Sequence, residues 1–191
     1  MMDVTALGEL LIDFACIGTD GDGYPTMAAH AGGAPPNFLA ALSKFGAKTA
    51  MLTKVGEDAF GKLLVQTLKK SGIETRGVVT DGGVFTTLAF VTLDETGDRD
   101  FSFYRKPGAD MFLTKEHVTD AALDGATIVH AGSCSLSKDP AADATAYAME
   151  KAATAGIPVS FDVNYRNLMW HDDQAACAAA VMEILPYVDL L

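Results

Sequence analysis

The order of strand-like and helix-like segments constrains the fold of this chain more than any other feature. Short apolar runs of strand length alternate with longer segments whose apolar residues recur every three or four positions. The predicted strands are Val4 to Leu11, Thr49 to Val55, Ala126 to Ala131, Pro158 to Val163 and Val188 to Leu191. This alternation predicts an α/β fold with a mostly parallel sheet, flanked by helices and joined by right-handed crossovers.

Two of the predicted helices have recognisable faces and caps. The first, Pro35 to Phe45, carries Phe38, Leu42 and Phe45 at i, i+4 and i+7 spacing, and we expect these three to be buried. The second is expected to begin at Asp58, whose carboxylate can accept hydrogen bonds from the first turn of the helix.

Two segments, about 12–30 and 84–108, interrupt the alternation. The first contains the acidic glycine-rich turn Thr19-Asp20-Gly21-Asp22-Gly23. The second contains two β-rich runs around a turn at Asp94 to Asp98. Together they predict a small separate β-sheet.

A glycine pair before two prolines, Gly32-Gly33-Ala34-Pro35-Pro36-Asn37, is the most informative local motif. Glycines allow another molecule to approach the backbone closely, and the prolines fix φ for the opening of a helix. Asp13, which we expect to end the first strand, can accept hydrogen bonds from two neighbouring hydroxyl groups. The combination predicts a sugar site.

Polar residues also follow the predicted strand Pro158 to Val163. They are Asp162, Asn164 and Arg166. Ligands of open α/β sheets bind at the carboxyl ends of the strands, and a guanidinium can hold a phosphate or sugar oxygen in a planar fork. Asp162 and Asn164 are candidates for organising water around a magnesium–nucleotide complex. The structural alternative is a capped turn with no ligand.

The charge balance excludes several classes of partner. A formal net charge of −11 and a pI near 4.6 argue against binding nucleic acid or anionic lipid, and they favour a neutral sugar over a sugar acid. The three cysteines are widely spaced, and the four histidines share no metal-ligand spacing, so we expect neither disulfides nor a protein-held metal.

The acidic residues near the N-terminus argue against a signal peptide or membrane span, which predicts a cytoplasmic protein.

These motifs resemble the ribokinase-like (PfkB-type) carbohydrate kinase family, most closely its fructokinases. Gly46 and Gly56 fall where the first family signature has glycines after the Asn of the diglycine motif. The helix entry Gly56-Glu57-Asp58-Ala59-Phe60-Gly61 and the strand Arg99 to Asp110 also match. Leu39 and Pro36 depart from the small residues usual at their positions.

The resemblance implies a fold, a reaction and a set of roles. The small sheet would be a lid over the sugar, and its exposed face would form a homodimer contact. The residues implied to contact the sugar are Asp13, Gly32, Gly33, Asn37, Tyr104 and Arg105. Arg166 would meet the transferred phosphate, and Asp162 and Asn164 would serve the nucleotide, with ATP and Mg²⁺ as cofactors.

The family's second signature, Gly-Ala-Gly-Asp, is not found in these 191 residues. Its Asp is the family's catalytic base, and it lies in the C-terminal half of proteins of roughly three hundred residues. The resemblance therefore implies that residues 1–191 are the N-terminal part of one kinase domain, without the nucleotide-binding part. We expect this chain alone to be inactive.

Fructose is the first choice of substrate, and other interpretations stay open. Ribose, a nucleoside or 2-keto-3-deoxygluconate are alternative substrates for a kinase of this kind. A non-catalytic sugar-binding or regulatory protein with the same fold is an alternative from a different class. A nicotinamide oxidoreductase is disfavoured because the sequence has no GxGxxG fingerprint.

Overall fold

The computed structural model describes residues 2–93, 99–123 and 125–191. Its strands are β1 (Met2–Leu7), β2 (Leu11–Thr19), β3 (Pro25–Gly32), β4 (Thr49–Gly56), β5 (Ile73–Glu74), β6 (Val78–Asp81), β7 (Leu88–Leu93), β8 (Arg99–Tyr104), β9 (Ala126–Gly132) and β10 (Val159–Asp162). Its helices are α1 (Ala34–Lys44), α2 (Ala59–Lys70), α3 (Asp120–Leu123), α4 (Ala141–Thr154) and α5 (Gln174–Ile184). The turn predicted at Asp94 to Asp98 lies outside the described residues.

The strands form two sheets. The base sheet has the order β10-β9-β1-β4-β5, with β6 also paired to β4, and all of these pairs are parallel. The lid sheet has the order β3-β2-β7-β8, and it is mixed because β2 and β7 are parallel while β2–β3 and β7–β8 are antiparallel. The predicted α/β class, with a small separate sheet, is confirmed.

Helices cover both faces of the base sheet. Neighbouring residues of β4 show this: Met51 packs in one cluster with Leu39 of α1 and Leu64 of α2, whereas Leu52 packs in a second cluster with Met149 of α4. Because successive side chains of a strand point to opposite faces, the two clusters are the two sides of one sheet. None of the described helices is long and apolar enough to cross a membrane.

The opening strand ends earlier than the sequence indicated. β1 stops at Leu7, and Leu11 already belongs to the lid sheet, so Asp13 is the third residue of β2 and does not end the first strand. Gly8 makes the break possible with φ 152°, and a Cβ there would lie 2.7 Å from Pro35 Cγ. Hydrophobicity could not reveal this break because the start of β2 is as buried as β1.

The buried face of α1 also differs from the prediction. Phe38 is 37% exposed and Phe45 is 89% exposed, whereas Leu39 is fully buried. Pro35 packs against Gly8, which rotates the helix so that Pro35 and Leu39 face the core. The end of the helix is as expected, because Gly46 adopts φ 91° just after it.

Candidate active site

A cavity of about 720 Å³ lies between one face of the lid sheet and the loops that follow β9 and β10. The lid contributes the side chains of β2 and β8, and the start of α1 contributes the diglycine motif. The predicted site residues that line the cavity are Asp13, Gly33, Asn37, Asp162, Asn164 and Arg166. The fold thus brings together two motifs that are more than a hundred residues apart in the sequence.

The two glycines are required by close contacts. Gly33 adopts φ 114°, and a Cβ on it would lie 2.5 Å from the backbone oxygen of Glu9. A Cβ on Gly32 would overlap the carboxylate of Asp13. Gly32 therefore acts behind Asp13, by leaving room for it, while the Gly33 backbone faces the cavity.

Asp13 carries a half-buried carboxylate on the cavity face of the lid sheet. Burial raises its pKa, and His30, its partner across the β2–β3 pair, acts in the opposite direction. A carboxylate in this position can accept hydrogen bonds from two hydroxyl groups of a ligand in the cavity. The geometry is compatible with the role inferred from the sequence, which stays a prediction.

The turn after β10 has features of both alternatives that the sequence left open, a ligand site and a capped turn with no ligand. The Asn164 backbone N–H donates to Oδ1 of Asp162 at 3.0 Å, and Asn164 has φ 31°, so part of this motif builds its own turn. Arg166 nevertheless has an exposed side chain at the cavity wall, just before the 3₁₀ turn Asn167–Met169. Its guanidinium is available to an anionic or polar ligand group.

The structure does not bring Tyr104 to the cavity. Asp13 lies opposite Ala89, and Ala89 lies opposite Phe103, so these three side chains share the cavity face of the lid sheet. Tyr104 lies opposite Leu88 and points the other way, with its ring 5.1 Å from that of Phe90. Its exposed position on the far face gives no geometric support to the predicted sugar contact.

Arg105 also lies outside the main cavity, in the wall of an adjoining cavity of about 310 Å³. Its side chain is buried, and its Nε donates to Oδ2 of Asp110 at 2.8 Å. Two further donations go to Ser137 Oγ at 3.1 Å and to the Cys134 carbonyl at 3.3 Å. The contacts with Ser137 and Cys134 connect the end of β8 to the loop after β9, so in this conformation Arg105 is engaged in joining the lid to the base.

Several residues that line the cavity were not among the predicted site residues, and Glu9, Phe101 and Phe103 are three of them. The two phenylalanines could have been found from the period-2 alternation of β8, which separates them from Tyr104. Glu9 had one available signal, an ionisable residue inside an otherwise apolar run. Residue type alone favoured the tyrosine and the arginine instead.

The described residues do not form a metal centre. None of their His, Cys, Asp and Glu side chains gather in a group of three that could hold an ion. Cys134 is buried in the cavity wall, and burial raises the pKa of its thiol well above the usual value. Asp162 and Asn164 line the cavity, and their role toward a magnesium–nucleotide complex stays a prediction.

A parallel base sheet, a small lid sheet and a cavity between them define the ribokinase-like class of α/β proteins. The structure of fructokinase from Xylella fastidiosa has this fold: it matches with a TM-score of 0.91 and 34% sequence identity over 99% of this chain and 58% of that chain. The sequence of residues 1–191 matches the pfkB family carbohydrate kinases along its whole length, and the chain belongs to that family.

Curated relatives agree with this assignment. Probable fructokinase-5 of Arabidopsis thaliana is 40% identical over 178 residues, which are 91% of this chain and 54% of the relative. Fructokinase-2 of Oryza sativa subsp. japonica is 40% identical over 190 residues, which are 98% of this chain and 56% of the relative. The chain thus spans about half the length of the curated relatives it matches.

Proposed function

We propose that this chain forms the sugar-binding part of an ATP-dependent sugar kinase, with fructose as the first choice of substrate. The observation that carries the proposal is the cavity in which Asp13, the diglycine turn and Arg166 meet. Family membership and the fructokinase relatives support a sugar kinase. A related fructokinase from Xylella fastidiosa has been solved with bound ATP, which supports ATP as the donor.

Five of the residues that line the cavity have a role in this proposal. Asp13 accepts hydrogen bonds from two sugar hydroxyls, the Gly33 backbone and Asn37 contact the sugar from the start of α1, and Phe103 forms an apolar wall. Arg166 contacts the phosphate that is transferred. Bound ATP with Mg²⁺ supplies the phosphoryl group, and the residues of this chain position the acceptor.

The proposal extends to assembly and location. We expect a homodimer joined through the lid sheets, since Ile17 and Tyr104 expose large apolar surfaces there. We also expect a cytoplasmic protein, and the free state of its three cysteines is consistent with a reducing compartment.

Replacing Asp13 tests the sugar site directly. We expect the Asp13→Ala variant to bind fructose about ten- to a hundredfold more weakly than the wild-type chain, because a charged hydrogen-bond acceptor is lost. Titration calorimetry with fructose and ribose measures this, and fructose should bind more tightly. Asp22→Ala is the matched control, because Asp22 is exposed in the turn between β2 and β3.

Two outcomes contradict the proposal. Wild-type affinity in the Asp13→Ala variant would remove Asp13 from the site. Absence of binding to any of fructose, ribose, a nucleoside or 2-keto-3-deoxygluconate by the wild-type chain would overturn the proposed function.

A further inference from the structure

Glu9 is a buried acidic residue that packs against the start of α1, and the proposed reaction gives it no role. It lies in the loop between β1 and β2, and its side chain is 3% exposed. Its Oε1 accepts a hydrogen bond from the backbone N–H of Ala34 at 2.9 Å. Its Oε2 is buried and has no hydrogen-bond partner among the described residues. A buried polar atom in this state calls for an explanation.

The first turn of α1 depends on this one acceptor. Its N-cap is Gly33, which has no side chain to accept a hydrogen bond. Pro35 and Pro36 have no N–H, and the N–H of Asn37 donates to the Gly33 carbonyl at 3.3 Å. The N–H of Ala34 is therefore the first-turn donor that needs an outside partner, and Glu9 supplies it from another element.

The backbone of Glu9 packs against the same turn. Its carbonyl oxygen occupies the space that a Cβ on Gly33 would need. Glu9, Gly33 and Ala34 all line the main cavity. A change in the carboxyl group of Glu9 therefore affects the part of the α1 backbone that a ligand in the cavity would contact.

We propose that Glu9 is a positioning residue of the sugar site, whose carboxyl group caps α1 and holds the Gly33–Ala34 turn in the conformation that receives the sugar. The inference rests on the proposed function for the identity of the ligand. The capping role itself rests on the contacts of Glu9 alone.

The protonation of Glu9 changes near neutral pH. Burial raises its pKa from the ordinary 4.5 to about 7, against the hydrogen bonds from Ala34 and its own amide. Two charged groups face it from other elements: Asp110 raises the pKa further, and Arg105 lowers it. The thiol of Cys134 is also close, and its own pKa is raised by burial and then by the charge on Glu9.

The sign of the functional effect follows from the hydrogen bond to Ala34. An ionised carboxylate accepts a hydrogen bond more strongly than a neutral carboxyl, and negative charge is favoured at a helix N-terminus. The turn is therefore held more firmly above the pKa of Glu9 than below it. Sugar affinity should rise as the pH increases through about 7.

The capping role can be tested without a sugar. In ¹⁵N-labelled protein, the amide proton of Ala34 should shift with a midpoint near pH 7, the pKa of Glu9. Glu9→Gln should abolish this transition and keep the amide protected from hydrogen exchange, because the glutamine oxygen still accepts but does not titrate. Asp13→Asn, the control, should leave the transition in place. A transition that persists in Glu9→Gln would overturn the proposal.

The positioning role is then tested with fructose by calorimetry on either side of the pKa of Glu9. The wild-type chain should bind about three- to tenfold more tightly at the higher pH. Glu9→Gln should bind with a flatter pH profile, and the difference between the two profiles removes the contributions of the groups that the two proteins share, Asp13 among them. A Glu9→Gln profile identical to that of the wild type would contradict the positioning role.

Glu9→Ala should lose about tenfold in affinity at both pH values, since the Ala34 amide loses its partner. Unchanged affinity in this variant would also contradict the proposal. If Glu9→Ala does not fold, the Glu9→Gln profile and the Ala34 titration decide the matter. If the wild-type chain binds no sugar, the proposed function fails, and the Ala34 titration still decides whether Glu9 caps α1.

Discussion

Two adjacent aromatic residues of β8 show how a single position in a strand decides what a side chain can contact. Phe103 and Tyr104 have similar sizes, but the alternation of the strand puts the first at the cavity and the second on the far face. A shift of one residue in the pairing of β7 and β8 would exchange them. The register of the lid sheet is therefore part of the specificity of the site.

Identical replacements at these two positions test the register. We expect Phe103→Leu to weaken fructose binding several-fold, on the order of 1 kcal/mol, because part of the apolar wall is lost. Tyr104→Leu, the matched control, should leave the affinity unchanged, since its ring contacts Phe90 on the opposite face. Calorimetry with fructose on both variants measures the two affinities, and a larger loss of affinity in Tyr104→Leu than in Phe103→Leu would reverse the assignment of the two faces.

At the residue scale, residue type and local spacing were enough to point to part of the cavity lining. A diglycine, a helix start and a nearby carboxylate are visible in the sequence, and Asp13, Gly33 and Asn37 do line the cavity, while their roles toward a ligand stay predictions. Glu9 was missed because its importance comes from a contact with Ala34, 25 residues away. The burial of Arg105 was not foreseen, because its partner Asp110 becomes buried with it only in the folded chain.

At the scale of elements, hydrogen bonds of a single side chain, Asp58, connect the base to the lid. The carboxylate of Asp58 caps α2 by accepting from the Gly61 N–H at 2.7 Å. It also accepts from the N–H and the hydroxyl of Thr86, at 2.8 and 2.9 Å, at the point where the chain approaches β7. One side chain thus connects a base helix to the root of the lid.

Removing this side chain should destabilise the fold. We expect Asp58→Ala to lower the free energy of unfolding by about 1–3 kcal/mol, since a helix cap and two further hydrogen bonds are lost. Urea denaturation measures the change, and Glu57→Ala is the control because Glu57 is exposed beside it. Equal effects of the two replacements would show that the cap contributes nothing.

The pH dependence of this contribution has a definite sign. Burial opposes ionisation of Asp58, but the hydrogen bonds from Thr86 and Gly61 outweigh it and hold its pKa below the usual 3.8. A lowered pKa gives stability that is present above the unfolded value and is lost as the pH falls through the folded value. The difference in the free energy of unfolding between the wild-type chain and Asp58→Ala should therefore become smaller as the pH falls through the pKa of Asp58.

The elements themselves were more predictable than their boundaries and faces. Strand and helix order followed from apolar periodicity and from caps such as Asp58 and Gly46. The break at Gly8 did not, because a strand that leaves one buried sheet for another keeps the same apolar pattern. On the predicted buried face of α1, Leu42 packs against the core, but Phe38 and Phe45 are exposed. The contact between Pro35 and Gly8, which no local pattern contains, orients the helix.

At the scale of the whole molecule, the lid sheet carries large exposed apolar side chains. Ile17 and Tyr104 are each 66% exposed, and Phe85, just before β7, is 80% exposed. In a chain with a net charge of −11, like charges would otherwise keep copies apart, so an association has to come from a surface that is apolar. The lid sheet is the described surface that meets this condition next to the cavity.

We therefore predict that the protein is a homodimer in solution and that the lid sheets form the contact. Light scattering after gel filtration should give twice the mass of the 20.1 kDa chain. Ile17→Glu should convert the dimer to a monomer, because a buried unpaired charge at the contact costs several kcal/mol. Phe45→Glu is the matched control, since Phe45 is equally apolar and 89% exposed but lies at the end of α1 remote from the cavity. A monomeric wild-type chain, or a dimer that dissociates with Phe45→Glu and persists with Ile17→Glu, would mean that the lid covers only its own cavity.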